Sequence, residues 1–252
     1  MFYLKNSCLS LICVFVISCM GNRNIPIVYT KNKKYKYEAL FIKADGDTLT
    51  KEYIFITSKG RPWFFDRSQI AYKVNYEPDT LGLKEFTNPV NQKQLFYDFA
   101  KQRSESKGRP FYGVLDHVER SGAIEESDFF WIHPFRKNQY VYTEVAPFPQ
   151  IEKNYLVKGE IWRDTIWILS GWDNFIGTCA SEYLVQGNCN YSSGAVNLEN
   201  CWQISSVSNH SLLGKSYLNY IYNSSFGIVE MKYEFYDGVK IEINLIEVIY
   251  ND

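Results

Sequence analysis

The C-terminal stretch of residues 227–250 reads GIVEMKYEFYDGVKIEINLIEVIY and decides the fold class. Apolar and polar residues alternate along two runs, 229–236 and 239–246, which flank Asp237-Gly238. Such alternation is typical of a strand with one buried face and one hydrated face, and Asp-Gly is a strong signal for a tight hairpin turn. The stretch therefore predicts an antiparallel β-hairpin.

Strand candidates with turn residues between them continue upstream of this hairpin. They cover residues 35–42, 48–57, 63–65, 70–76, 155–170, 179–187, 201–208 and 216–222. Short connections between successive strands favour an antiparallel meander over a parallel α/β sheet. The predicted fold class is mainly β, with a curved antiparallel sheet or incomplete barrel and one or two helices.

One helix is predicted, beginning after Asn88 as the N-cap and Pro89 at the first helical position. An apolar stripe at helical spacing follows: Leu95, Phe96, Phe99 and Ala100. Residues 146–150, APFPQ, contain two prolines and predict a rigid strap between an N-terminal β region, 35–150, and a C-terminal β meander, 151–252. We expect the two regions to pack as one body.

The first residues predict export. Lys5 precedes an apolar stretch of about ten residues, which has the length of a signal peptide and is too short to span a bilayer. Residues 16–19, Val-Ile-Ser-Cys, resemble the bacterial lipobox. This resemblance implies that residues 1–18 are removed, that Cys19 is acylated, and that residues 19–34 form a polar tether. The alternative is an ordinary secretory signal, and both place the domain outside the cytoplasm.

The overall charge excludes one class of function. The chain carries 27 Lys+Arg against 28 Asp+Glu, a formal net charge of −1. A nucleic-acid binder gains affinity by neutralising phosphates with an excess of cations. We therefore expect no nucleic acid among the partners.

Three C-terminal segments carry a family resemblance: GAVNLENCW at 194–202, LGKS at 213–216 and FGIVEMKY at 226–233. They resemble the closing strands of uncharacterised Gram-negative envelope lipoproteins, and are similar to periplasmic half-barrel proteins of unknown function. The resemblance implies a curved antiparallel sheet with a helix on or near its concave face. Together with the lipobox it implies a protein anchored to the inner or outer membrane of a Gram-negative cell. It brings no catalytic residues.

The chemistry-bearing residues predict no metal, no cofactor and no catalytic residue. His117, His133 and His210 are far apart in sequence, and HExxH, CxxC, GxSxG and phosphate-loop motifs are absent. His117 lies in an acidic stretch with Glu119, which is compatible with a carboxylate-oriented base or with a solvated acidic loop. The loop is the favoured interpretation.

Three cysteines remain after residue 19: Cys179, Cys189 and Cys201. In an oxidising compartment they allow one intramolecular bridge. If 179–187 pairs with 201–208, Cys189 and Cys201 lie near the base of the intervening loop. A Cys189–Cys201 disulfide and three buried thiols are both open interpretations.

The remaining candidates for ligand contact are aromatic: Trp131, Trp162, Trp167 and Trp172. They can line a site for an apolar ligand or a sugar, or they can pack in the core. In a regular strand Trp162 and Trp167 point to opposite faces, which weakens the idea of one platform. We predict a non-enzymatic, lipid-anchored envelope protein, with a binding or structural role, whose curved sheet holds an apolar ligand or a protein partner. The alternatives are a glycan-binding surface lipoprotein that uses exposed Trp or Tyr and, last, a hydrolase.

Overall fold

The computed structural model describes residues 28–31, 33–62, 69–78, 118–136, 138–168 and 176–250. Twelve strands among them form one sheet, in which every hydrogen-bonded pair is antiparallel. In chain order they are β1 (Lys33–Ile42), β2 (Thr48–Pro62), β3 (Ile70–Pro78), β4 (Val118–Glu125), β5 (Phe129–Ile132), β6 (Gln150–Glu152), β7 (Ile161–Ile168), β8 (Gly177–Ser193), β9 (Val196–His210), β10 (Gly214–Asn223), β11 (Gly227–Glu234) and β12 (Lys240–Tyr250). The order across the sheet is β6-β5-β4-β3-β2-β1-β12-β11-β10-β9-β8-β7.

This architecture confirms the predicted fold class. The decisive hairpin is β11 and β12, whose register pairs Glu234 with Lys240 around the Asp237-Gly238 turn. β1 pairs with β12 along its whole length, so the first and last strands in chain order are neighbours in the middle of the sheet. No helix among the described residues has the length and apolar character needed to cross a membrane.

The sheet is strongly curled. β5 and β10 have six strands between them in the sheet order, which is about 34 Å in a flat sheet. Nevertheless the ring centroids of Phe130 on β5 and Tyr222 on β10 are 5.3 Å apart. At the two edges, Gln150 Nε2 on β6 donates to Asp164 Oδ2 on β7 at 3.5 Å. The sheet therefore bends round until its first and last strands approach each other.

The interior of the curled sheet is filled by the chain's own side chains. Its largest fully buried members are Tyr29, Tyr35, Tyr37, Tyr72, Tyr140, Tyr183, Tyr220, Phe130, Ile54, Ile56, Ile132 and Ile151. Several buried tyrosines donate to backbone carbonyls across the interior, as Tyr37 does to Ile228 O at 2.9 Å and Tyr183 to Phe148 O at 3.1 Å. These bonds satisfy hydroxyls that would otherwise be costly to bury.

Two 3-10 helices, Asn138–Val145 and Lys153–Tyr155, are the helices of the described part. The first has the β-prone sequence NQYVYTEV, and burial of its tyrosines against the sheet overrides that preference. The second 3-10 helix ends where a strand was predicted to begin, at residue 155 of the range 155–170. The strand β7 begins only at Ile161, because Gly159 first turns the chain with φ +91°. The helix predicted after Asn88 and the strand predicted at 63–65 lie outside the described residues.

The predicted tether is too long. Val28 and Tyr29 are buried, and the backbone N–H of Val28 donates to the Glu125 carboxylate at 3.0 Å. β1 begins at Lys33, inside the range 19–34 that was predicted to be a polar tether. The prediction is wrong for these residues, because the buried side chains of Val28 and Tyr29 anchor this part of the chain in the core.

Candidate functional site

A polar pocket lies beside the start of β4, and its volume is about 550 Å³. The described residues that line it are Val118, Glu119, Arg120 and Arg136. Strand alternation exposes Val118 and Arg120 and turns Glu119 inward. Arg136 follows β5 and reaches the same pocket. The volume lies within the range of small-molecule sites.

Glu119 is a buried carboxylate whose two oxygens are both partnered. Its side chain is 3% exposed. The Tyr76 hydroxyl donates to Oε2 at 2.5 Å, and the backbone N–H of Arg136 donates to the same oxygen at 3.0 Å. Arg136 Nε lies 3.4 Å from Oε1. Three donors, one of them a cation, therefore stabilise the charge on Glu119.

A second buried carboxyl lies on the other side of Arg136. Glu144 comes from the 3-10 helix Asn138–Val145, is 4% exposed, and has Oε1 3.6 Å from Arg136 Nε. Neither Glu144 oxygen accepts a hydrogen bond from a described residue. Burial raises the pKa of Glu144 to about 8, against the opposing effect of Arg136 and with a contribution from the charge of Glu119. Glu144 is therefore mainly protonated at neutral pH.

The electrostatics of the pocket favour an anion. Among the described residues at the pocket, the guanidinium groups of Arg120 and Arg136 carry +2, Glu119 carries −1 and protonated Glu144 carries none, which leaves +1. His133 adds no charge at pH 7, because burial and the nearby Arg136 lower its pKa to about 4. Guanidinium groups bind carboxylate and phosphate groups with paired hydrogen bonds. Arg136 is held through Nε by buried groups while its side chain is 36% exposed.

Of the four predicted tryptophans, Trp162 and Trp167 lie on opposite faces of the sheet. Trp162 is 7% exposed and stacks on Tyr183 with centroids 5.1 Å apart, whereas Trp167, on the same edge strand, is 71% exposed. Their opposite orientation agrees with strand alternation. Trp131 packs beside His133, with their ring centroids 5.3 Å apart. Trp172 lies outside the described residues, as do His117 and Cys19.

The three described cysteines lie on the β8–β9 hairpin. Cys179, Cys189 and Cys201 are free thiols in the structure. Cys189 on β8 is directly opposite Cys201 on β9. Cys179 is opposite His210 at the other end of the same hairpin. No group of three His, Cys, Asp or Glu in the described part of the chain is arranged to hold a metal ion.

Little of this site can be recognised from the sequence. The solvated acidic loop expected around Glu119 is strand β4, with Glu119 buried. A carboxylate between an exposed valine and an exposed arginine reverses the usual hydropathy pattern, so no periodicity signal marks it. Its partners Tyr76 and Arg136, and the Glu144 that contacts Arg136, come from other parts of the chain, 17 or more positions away.

Comparisons with known proteins give structural neighbours only. No family model matches the chain, and no curated protein matches it. The chain is similar to a Bacteroides fragilis protein described as exported with a YmcC-like fold (9% identity, TM-score 0.44, 89% of this chain and 98% of that one). It is also similar to a protein described as a lipoprotein from Parabacteroides distasonis (9%, 0.44, 88% and 97%). A third is the hypothetical lipoprotein YmcC from Escherichia coli (8%, 0.34, 92% and 93%).

These neighbours are described as exported proteins or lipoproteins. With identities below 10% and TM-scores below 0.5, the similarity identifies neither a ligand nor a partner for this chain.

Proposed function

We propose that the chain is a lipid-anchored protein of the Gram-negative cell envelope that binds a small anionic ligand without transforming it. The ligand carries a carboxylate or phosphate group and contacts Arg120 and Arg136. The observation that supports this proposal is the way Arg136 is held at the pocket, since its Nε donates to Glu119 Oε1 at 3.4 Å and its backbone N–H donates to Glu119 Oε2 at 3.0 Å. A guanidinium held in this way loses little conformational freedom when it binds an anion.

The same geometry favours binding over catalysis. The Glu119 oxygens already accept bonds from Tyr76 and Arg136, and Glu144 is buried beside Arg136. A general acid or base must reach the proton it transfers. In this arrangement the two carboxyl groups position Arg136, and the hydrolase alternative gains no support from them.

The apolar-ligand and glycan alternatives are less well supported. An apolar ligand inside the sheet would have to displace buried side chains such as Tyr37, Tyr183 and Tyr220. A glycan platform needs aromatic rings on one accessible face, whereas Trp162 is buried and Trp167 is exposed. A protein partner that presents an acidic side chain is compatible with the pocket.

Calorimetric titration tests the ligand class. Succinate and inorganic phosphate are titrated into the detergent-solubilised full chain and into Arg120→Gln. We expect at least one probe to bind, and Arg120→Gln to weaken it about tenfold or more through loss of a charged hydrogen bond. Arg163→Gln is the matched control, because Arg163 is an exposed arginine on β7 that pairs with Glu182 at 2.6 Å. Equal affinities for the two variants, or no binding of either probe, would contradict the proposal.

Metabolic labelling tests the anchor. Cells that express the chain are grown with a palmitate analogue, and the chain is then isolated and probed for the label. We expect labelled wild type and unlabelled Cys19→Ser, with Cys179→Ser labelled like wild type. An unlabelled wild-type chain removes the lipid anchor from the proposal and leaves the anion site to be judged by titration.

A further inference from the structure

Two cysteines face each other across the β8–β9 hairpin. A two-residue turn, Gly194-Ala195, fixes the register of the two strands and places Cys189 opposite Cys201. Directly opposed residues of an antiparallel pair have Cα atoms about 4.5–5.5 Å apart and project to the same side of the sheet. A disulfide requires Cα atoms about 4.4–6.8 Å apart. The register therefore places the pair within bonding range without any movement of the strands.

The local backbone is irregular on both sides of this pair. The register shifts between Val185 and Gly187 and again between Cys189 and Tyr191. At the second shift β9 contains an extra residue, and Asn200 adopts the left-handed conformation with φ 55° just before Cys201. The bulge turns Cys201 into the interior beside Asn223, whose Nδ2 donates to Cys201 Sγ at 3.5 Å.

The two thiols differ in accessibility. Cys201 is fully buried, whereas Cys189 is only partly buried. Burial and, secondarily, the charge that Cys201 would carry raise the pKa of Cys189. An incoming reagent therefore meets Cys189 first.

The third described cysteine cannot substitute for either member. Cys179 lies ten residues from Cys189 along β8, which is about 33 Å in a strand. It is opposite His210, nine residues from Cys201 on β9. Among the described cysteines, only Cys189 and Cys201 can bridge within one folded chain.

We propose that Cys189 and Cys201 are a disulfide-forming site, with Cys189 as the attacking thiol and Cys201 as the resolving thiol. The oxidant is a small or protein disulfide. The Cys189 thiolate attacks one of its sulfurs, and the other leaves as a thiolate that takes up a proton. The Cys201 thiolate then attacks Cys189 Sγ and expels the second oxidant sulfur. The two cysteines lose two protons and two electrons, and the oxidant disulfide is reduced to two thiols.

Oxidised glutathione tests this site independently of where the protein resides. The reduced, purified full chain is incubated with it, acid-quenched, and analysed by peptide mapping. We expect wild type to end with a Cys189–Cys201 bond and a free Cys179. Cys201→Ser should stop at a glutathione mixed disulfide on Cys189. Cys189→Ser should leave Cys201 reacting about tenfold more slowly than Cys189 does in wild type, because Cys201 is buried.

Cys179→Ser is the matched control and should form the bridge at the wild-type rate. Wild type in which Cys189 and Cys201 remain thiols, or in which Cys179 enters the bond, would overturn the proposal. If the bridge forms with glutathione but the chain isolated from cells is fully reduced, the disulfide site stands and the envelope location in the proposed function is contradicted.

Discussion

The side chain of Arg136 lies between two carboxyl groups that water hardly reaches, Glu119 at 3% and Glu144 at 4% exposure. Nε donates to Glu119 Oε1 at 3.4 Å and lies 3.6 Å from Glu144 Oε1. At the scale of single residues, the site therefore depends on a cation that compensates the buried Glu119 carboxylate. Removing it should affect stability as well as ligand binding.

Replacing Arg136 with Met should destabilise the fold by about 3–5 kcal/mol, because Glu119 loses its cation while it remains buried. Urea unfolding followed by tryptophan fluorescence measures the change. Arg163→Met is the control, since the exposed Arg163–Glu182 pair should contribute less than about 1 kcal/mol. Equal midpoints for the two variants would show that Arg136 does not compensate the buried Glu119 carboxylate.

The raised pKa of Glu144 predicts a stability that falls with pH. Between pH 6.5 and 8 the carboxyl has already lost its proton in the unfolded chain, where its pKa is near 4.5, but keeps it in the fold, where its pKa is about 8. Over this window wild type should lose about 2 kcal/mol of unfolding free energy. Glu144→Gln cannot ionise and should show a flatter profile.

His133 provides the control for this pH dependence. Its pKa of about 4 is below the ordinary 6.5, so its contribution to stability is lost as pH falls below 6.5. His133→Asn should therefore change the profile only on the acidic side and keep the slope between pH 6.5 and 8. Parallel wild-type and Glu144→Gln profiles above pH 6.5 would disprove the assignment.

At the scale of elements, the β8–β9 hairpin depends on its turn. Gly194 has φ 56°, and a Cβ atom there would lie 2.7 Å from the carbonyl oxygen of Ile246 and 2.8 Å from the Ile246 Cβ. Both atoms belong to the well-packed β12 region and cannot move aside as a flexible side-chain end would. A glycine is therefore required for steric as well as conformational reasons.

Gly194→Ala should destabilise the protein by about 1–3 kcal/mol. Gly159→Ala is the matched control, because Gly159 also has positive φ, +91°, but a Cβ atom there meets nothing within 4 Å. Thermal unfolding of the two variants separates the steric cost from the conformational cost. If Gly159→Ala is the more destabilised variant, the close approach of the turn to β12 is not limiting.

The elements also show where sequence patterns are informative. Alternation and the Asp-Gly turn correctly identify β11 and β12, because that hairpin has one dry and one wet face. The pattern failed for the loop expected between 187 and 201, which is strand on both sides of Gly194-Ala195. Polar residues such as Asn190 and Ser192 lie on the exposed face there and only imitate a loop composition. Pairing between strands, which residue composition does not encode, decides the structure of this segment.

At the scale of the whole molecule, curling brings together residues that no sequence pattern connects. The Tyr220 hydroxyl on β10 donates across the interior to the backbone carbonyl of Gln150 on β6. Arg136, Glu119 and Glu144 meet more locally, because β4 and β5 are neighbouring strands and the 3-10 helix Asn138–Val145 follows β5. Fold class follows from local alternation, whereas the closure of the sheet depends on how far it bends, which one sequence does not reveal.

Tyr220→Phe should cost about 1 kcal/mol and loosen β6, because Gln150 O loses its donor. The substitution should increase the hydrogen-exchange rates of backbone amides more in β5 and β6 than in β11 and β12. Tyr217→Phe on the same strand is the control, since Tyr217 is 43% exposed and should leave both stability and exchange unchanged. Uniformly faster exchange across all strands in Tyr220→Phe would contradict a local role in closing the sheet.

Crystals of the protein grown with succinate test most directly whether the ligand binds in the pocket beside β4 or among the buried side chains inside the curled sheet. We expect density for a carboxylate within hydrogen-bond distance of the Arg120 and Arg136 guanidinium groups, with Glu119 and Glu144 still buried beside Arg136. The pocket should be empty in crystals of Arg120→Gln grown in the same solution. Succinate among the buried tyrosines of the interior, or at the same site in both crystals, would contradict the account.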